Sequence, residues 1–274
     1  MCAYLGQAKG IFRVPNAKCT LFENITGADY TSELVKGSFD MGVCGTPALL
    51  PAFKRTQEYS VIGTEICNYP PFYLMADMSI QKPENLRNKV IAINKLRTCP
   101  DSVIRTILSD AAVPVSSVKI ATLVTPPKQI EAIRKNEIDA AVLWEPWVSY
   151  AERVFGWHIV FDCPKLMQPS NYAFLLYCRR SLIETKPELI QNCLDAYVNS
   201  TKYATDNVSE LLELNYKFDY VGQEDVEQAI GRERSLWNTN PVFDEAIGET
   251  AEKELREQGV IGPDFHLNNF VAVL

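Results

Sequence analysis

Residues that could do chemistry stand close together in "NEIDAAVLWEPW", residues 136–147. Trp144 and Trp147 flank Glu145 and Pro146, directly after a run of small and branched apolar residues. An indole offers a broad apolar face and one N–H donor. A carboxylate accepts from an amine, a hydroxyl or a guanidinium. The set could close one wall of a cleft on a small organic molecule. It could equally be packing, because a tryptophan after a strand is often core. Two cysteines raise a second chemistry. Cys44 and Cys99 each stand where a strand-like run gives way to a helix start, and a thiol there could be a nucleophile if a base lay beside it. Neither His158, in "FGWHIV", nor His266 falls in those loops.

These residues need a frame, and the pattern supplies one. "CTLFEN" (19–24), "FDMGVCG" (39–45), "EYSVIGTEI" (58–66), "FYLMAD" (72–77), "KVIAIN" (89–94), "VKIATLV" (118–124) and "IDAAVLW" (138–144) read as strands. Between them "ADYTSELVKG" (28–37), "TPALLPAFKR" (46–55), "PDSVIRTILSDA" (100–111) and "PPKQIEAIRKN" (126–136) read as helices. "KPENLRN" reads as a polar connection without a packing signal. Alternation of this kind predicts an α/β fold with parallel-rich sheets flanked by helices. "YAFLLYCRR" (172–180) is one more strand, and the chain beyond it reads as helices whose apolar faces pack on the rest.

One plan occurs twice. "ELVKGSFDMGVCGTPAL" (33–49) and "AIRKNEIDAAVLWEPWV" (132–148) each run from a helix end through Gly or Asn, an Asp and a short apolar strand to a loop with proline. Gly and Asn suit a left-handed helix C-cap. Two copies about 100 residues apart suggest two similar α/β lobes.

Composition narrows the partners. The chain has 274 residues, a formal net charge of −7, 47% hydrophobic and 22% charged residues. That is enough to bury a core, and it makes nucleic acid and anionic membrane poor partners. A small anionic ligand is not excluded, since a pocket sets its own potential. There is no apolar run of about 18 residues to span a membrane. "MCAYLGQAKGIFRVPNAK" lacks the basic start and apolar block of a signal peptide. Eight cysteines without a CxxC pair, and two histidines, argue against zinc and for reduced, buried thiols. No cofactor and no metal are expected.

The stretches "AKGIF" (8–12), "TGADYTSELVKGSFDMGVCGTPAL" (26–49), "ENLRNKVIAI" (84–93), "QIEAIRKNEIDAAVLWEPW" (129–147), "NYAFLLYCRRSLIETKPELI" (171–190) and "EQGVIGPDF" (257–265) form an ordered set. With it the chain resembles the substrate-binding proteins of ABC importers in the nitrate/sulfonate/taurine, NMT1/THI5-like group. The resemblance implies a two-lobed, type II periplasmic-binding-protein-like fold with ligand in the cleft between lobes. Lobe one would be 1–79 with 169–274, and lobe two 80–168. It also implies a small-molecule ligand, an ABC permease partner, a monomer and an extracytoplasmic location. The family normally has a strand and an aromatic-bearing loop before the "AKGIF" helix. Here that first strand is expected to be lacking, so a truncated or cytoplasmic form stays open.

In open α/β sheets ligands bind beyond the carboxyl ends of strands. Four loops follow from that rule and from the resemblance. In the first, Gly45 lets a ligand approach the backbone, and Thr46 either donates to a ligand or only caps the next helix. In the second, relatives usually carry Gly-Ser-Thr, whereas this chain has Leu96-Arg97-Thr98-Cys99. Thr98 keeps the hydroxyl, Cys99 adds a thiol, and Arg97 either offers a forked charge to an anionic head or points to solvent. The third is Trp144, Glu145 and Trp147, where Glu145 accepts from a ligand or pairs with an arginine across the lobes. The fourth comprises Tyr69, Phe72, Asn171 and Tyr172 on the two expected crossing segments.

The expected function is capture of a small organic or anionic metabolite (sulfonate, nitrate, carboxylate or pyrimidine-like) for import. The alternatives are an enzyme on the same fold, of pyrimidine-synthase, desulfinase or decarboxylase kind, and an intracellular ligand sensor.

Overall fold

Gly37 and Asn136, the residues at matching places in the repeated plan, both adopt left-handed backbone, with φ of +79° and +56°. Each ends a helix and turns the chain into a short strand. The computed structural model describes residues 2–22, 27–65, 70–167, 174–214 and 220–272.

Within these residues the helices are α1 (Cys2–Ala8), α2 (Gly27–Val35), α3 (Thr46–Thr56), α4 (Cys99–Asp110), α5 (Pro126–Arg134), α6 (Trp147–Phe155), α7 (Cys163–Leu166), α8 (Arg180–Thr185), α9 (Pro187–Asp206), α10 (Val208–Glu213), α11 (Gln223–Glu233) and α12 (Glu245–Glu257). The strands are β1 (Met41–Gly45), β2 (Tyr59–Thr64), β3 (Tyr73–Ala76), β4 (Val90–Ile93), β5 (Lys119–Thr122), β6 (Ala140–Leu143), β7 (His158–Asp162) and β8 (Phe174–Arg179). They form a three-stranded sheet in the order β1-β8-β2 and a five-stranded sheet in the order β5-β4-β6-β3-β7.

The fold is α/β, with sheets that are mixed rather than parallel-rich. Among the described strands β4 runs parallel to β5 and β6, while β3 and β8 run antiparallel to both their neighbours. Connectivity is the reason. β3 and β8 are the strands on which the chain changes sheet, so neither is held to the helical crossover that keeps consecutive strands parallel. β3 precedes residue 80, the expected start of lobe two, yet hydrogen-bonds within the five-stranded sheet.

Both faces of the five-stranded sheet are covered. Ala140 and Val142 of β6 pack in one core with Ile91, Ile93, Ile104 and Leu108. Ala141 and Leu143 pack in the other with Tyr73, Met75, Ala92 and Val148. Successive side chains of a strand point to opposite faces, so a strand covered on both sides reads as one apolar run. The three-stranded sheet packs Val61 and Tyr177 against Leu49, Leu50 and Phe53 of α3, while Ile62, Leu176 and Cys178 meet Ile190 of α9.

Two local expectations are corrected. Residues 19–22 of "CTLFEN" form no strand; they have no ladder partner, and Phe22 is 68% exposed. Residues 23 and 24 lie outside the described residues. "KPENLRN" does pack, because Pro83–Leu86 forms a 3-10 turn that buries Leu86. Helix α6 and strand β7 are additional elements.

The helical tail packs closely on the rest of the fold. A Cβ on Gly6 of α1 would lie 1.9 Å from Ser200 Oγ on α9, so glycine is what permits that approach. Arg153 of α6 donates through Nε and Nη2 to the two carboxylate oxygens of Asp225 on α11, both at 2.7 Å. That forked pair holds the start of α11 against α6, so the far end of α11 carries Arg232 and Glu233 toward the sheets. Among the described residues no helix is long and apolar enough to cross a membrane.

Candidate ligand-binding cleft

The ends of β1, β2, β4 and β6 and the starts of β3 and β8 converge on a cavity of about 300 Å³. That volume suits a small metabolite. Gly45, Glu65, Asn94, Trp144 and Glu145 reach it from the carboxyl ends of strands, and Glu233 reaches it from the end of α11. Phe72, Trp144 and Phe174 give it aromatic walls. The ring of Phe72 meets Trp144 edge-on at 5.9 Å and lies 6.2 Å from Phe174. A second cavity of about 280 Å³, bounded by α1, α9 and α11, shares Glu65, Glu145 and Glu233 with the first.

Six of the residues proposed from sequence line this first cavity: Gly45, Phe72, Thr98, Cys99, Trp144 and Glu145. Thr46 begins α3 and is fully buried outside the lining. Trp147 begins α6 and is only 5% exposed, in the core on the other face of the five-stranded sheet. Tyr69, Asn171 and Tyr172 lie outside the described residues.

The loop at the start of α4 is closed on itself. Arg97 has left-handed backbone (φ +62°), its side chain is exposed, and it does not line the cavity. Its N–H donates to Asp101 Oδ2 at 2.7 Å, and Arg105 Nε donates to Asp101 Oδ1 at 2.9 Å. Thr98 Oγ1 stands 2.6 Å from both Asn94 Oδ1 and Lys95 O and donates within the loop. The buried carboxylate Asp101, in the first turn of α4, thus ties the preceding loop to the helix.

The cavity's polar lining is rich in carboxyls. Glu145 takes the pairing reading: it is ion-paired with Arg232, and its oxygens also accept from Ser149 Oγ at 2.9 and 3.0 Å and from Ser149 N at 3.1 Å. Arg232 Nη2 also donates to Glu152 at 2.7 Å. Burial pushes the Glu145 carboxyl above the usual range, and the Arg232 charge acts against that rise. Glu65 accepts from Tyr197 Oη at 3.0 Å, and burial pushes its carboxyl up too. Glu233 is pushed up to about 8, by burial first and by the neighbouring Glu145 charge second. The Tyr73 hydroxyl hydrogen-bonds the Glu233 carboxyl, yet its Oε1 is buried with no hydrogen-bond partner.

The thiols are poorly placed for nucleophilic work. Burial pushes Cys44 up to about 12 and Cys99 higher still, so neither supplies thiolate at neutral pH. No histidine lines either cavity among the described residues.

Sequence reasoning passed over Glu65, Asn94, Phe174 and Glu233. Glu65 directly follows β2, so the strand-end rule applied to "GTEI" points to it. Glu233 carries no such sign; it belongs to the tail read as packing, and only the pairing of α11 with α6 brings it in.

The NMT1/THI5-like family description matches residues 1–210. No curated protein matches the chain. Among solved structures, the periplasmic aliphatic sulphonate binding protein SsuA from Escherichia coli superposes with a TM-score of 0.82 at 17% identity, over 99% of this chain and 88% of that one. The alkanesulfonate-binding protein SsuA from Xanthomonas axonopodis pv. citri, bound to MOPS, gives 0.84 at 14% identity, over 100% and 94%. The desulfurization enzyme DSZB gives 0.69 at 13% identity, over 99% and 93%. At these identities the likeness establishes the periplasmic-binding-protein fold.

Proposed function

The chain belongs to the NMT1/THI5-like family, and on that premise we propose that it is a solute-binding protein that holds a small organic molecule between two lobes for ABC-type import. One observation carries the reading: residues at the ends of strands from both sheets enclose a single cavity with aromatic walls and hydrogen-bonding groups. The lobes we propose are 80–168 and the combination of 1–79 with 169–274, with β3 entering the second sheet ahead of residue 80. Closing them on a ligand would present a docking face to a membrane permease. The proposed location is extracytoplasmic, in keeping with the periplasmic sulphonate binding protein of the same fold.

Binding without turnover is favoured over catalysis by the buried, protonated state of Cys44 and Cys99. Native mass spectrometry of freshly purified protein, followed by release of what is bound, tests the proposal. A stoichiometric, chemically unmodified molecule is the expected outcome. A covalent cysteine adduct, or a bound molecule that turns over on incubation, would put an enzyme in its place.

A further inference from the structure

The two sulfonate-binding proteins of the same fold bind anions by name, and an anionic head was among the expectations for this chain. The cavity has the opposite complement. Its described lining contains three glutamates, Glu65, Glu145 and Glu233, and no lysine, arginine or histidine. The connecting stretches 66–69 and 168–173 contain no charged residue to reverse that balance. Arg232, which pairs with Glu145, is shared between it and Glu152. Arg97 is exposed, and the first turn of α4 already carries a buried carboxylate, Asp101. An anion entering here would meet three carboxyls and no cation of the described lining.

A positively charged head would meet the reverse. Glu233 Oε1 is a buried acceptor with no partner, which costs free energy unless a donor fills the place. Glu65 presents a second carboxyl held by one hydrogen bond from Tyr197. The rings of Phe72, Trp144 and Phe174 offer their faces and edges to an organic body, and ring faces attract a cation. We propose that the cleft takes a small organic cation, a protonated amine or an amidine, whose N–H groups donate to Glu233 and Glu65 while its apolar part lies against Phe72, Trp144 and Phe174. This rests on the solute-binding reading above and names the class of solute.

The empty cleft keeps Glu233 protonated at neutral pH, because Glu145 and Asp162 add negative charge that Arg232 and the Tyr73 hydroxyl only partly offset. As an ammonium arrives the Glu233 proton leaves to solvent, and a neutral carboxyl becomes a paired carboxylate. Binding of an amidinium such as benzamidinium, which keeps its charge and its N–H donors across this range, should therefore release protons near pH 7 and tighten as pH rises toward 8 and beyond.

A thermal-shift screen at pH 8 tests the assignment, with equal numbers of small amines and amidines, neutral polar molecules, sulfonates and carboxylates. Stabilisation by amines or amidines, with Glu233→Gln weakening those hits by about tenfold or more, is the expected result. Glu65→Gln serves as a second variant if the first is poorly folded, and should weaken the same hits. Stabilisation by sulfonates or carboxylates alone would overturn the charge assignment and leave the solute-binding reading standing. No hit in any class, with native mass spectrometry also finding an empty protein, would overturn both.

Discussion

Glu145 and Arg232, 87 residues apart in the chain, form an ion pair that joins the loop after β6 to the last turn of α11. The carboxylate side chain is 3% exposed and the guanidinium 17%. The pair fixes one wall of the candidate cleft and sets the charge that Glu233 experiences. Because Arg232 also holds Glu152, one side chain ties α11 to both the cleft loop and α6.

Arg232→Ala should therefore be costly. It leaves Glu145 buried beside Glu233 with no cation, and removing one partner of a buried pair typically costs about 3–5 kcal/mol. Urea denaturation should show that loss at neutral pH. Lowering the pH should recover part of it, since protonating Glu145 relieves the orphaned charge. A loss below about 1 kcal/mol, the value usual for exposed pairs, would mean that the pair is solvated.

Glu233 should make stability depend on pH in an unusual direction for a carboxyl. Its folded pKa of about 8 lies above the ordinary value of 4.5. The contribution is thus fully present below about pH 4.5 and is lost as pH rises through 8. Glu233→Gln keeps the shape and abolishes the titration. The variant should gain stability relative to the parent between pH 5 and 9, by on the order of a few kcal/mol at the alkaline end. Parallel pH-stability curves for the two proteins would contradict the assignment.

The two tryptophans of "WEPW" should behave differently on truncation. Trp147 is core, so Trp147→Ala should cost about 3–5 kcal/mol and give a poorly folded protein. Trp144 lines the cleft against Phe72, and Trp144→Ala should keep a cooperative unfolding transition while abolishing ligand-induced lobe closure, read by small-angle scattering. Equal thermal destabilisation by both changes would make Trp144 a packing residue.

Gly6→Ala probes the seat of the first helix. The added methyl group would overlap Ser200 Oγ, so α1 must shift on α9 or Ser200 must turn away. A cost of about 1–3 kcal/mol is expected from such overpacking. Combining it with Ser200→Gly should restore most of the loss, and a double variant no better than the single one would locate the strain elsewhere.

Alkylation separates buried thiols from reactive ones. Native protein treated with iodoacetamide should leave Cys44 and Cys99 unmodified, because burial holds both as thiols and out of reach. Peptide mapping should find both labelled only after unfolding. Rapid labelling of Cys99 in the native state would reopen the enzyme reading.

Much of the fold follows from local pattern. The apolar runs at 90–93 and 140–143 read as covered strands because both their faces are buried, and Gly37 and Asn136 are legible as turn points because few residues tolerate positive φ. The strand-end rule points at Gly45, Thr98 and Glu145 for the same reason: a strand's end and the loop after it are written in consecutive residues. Leu86, by contrast, is one apolar residue in a polar stretch, and no period marks its burial.

What tertiary structure alone decides is which distant side chains meet, and in what charge state. Arg232 and Glu233 sit in an amphipathic helix that sequence marks only as packed on something. Their arrival at the cleft depends on Arg153 gripping Asp225 across 72 residues. Strand direction is of the same kind, since β3 and β8 carry the composition of parallel strands and run antiparallel because the chain changes sheet there. Residue type and spacing act locally, through backbone sterics and the burial of one face. The electrostatics of the cleft come from carboxyls brought together from three separate parts of the chain, and no local pattern encodes their proximity.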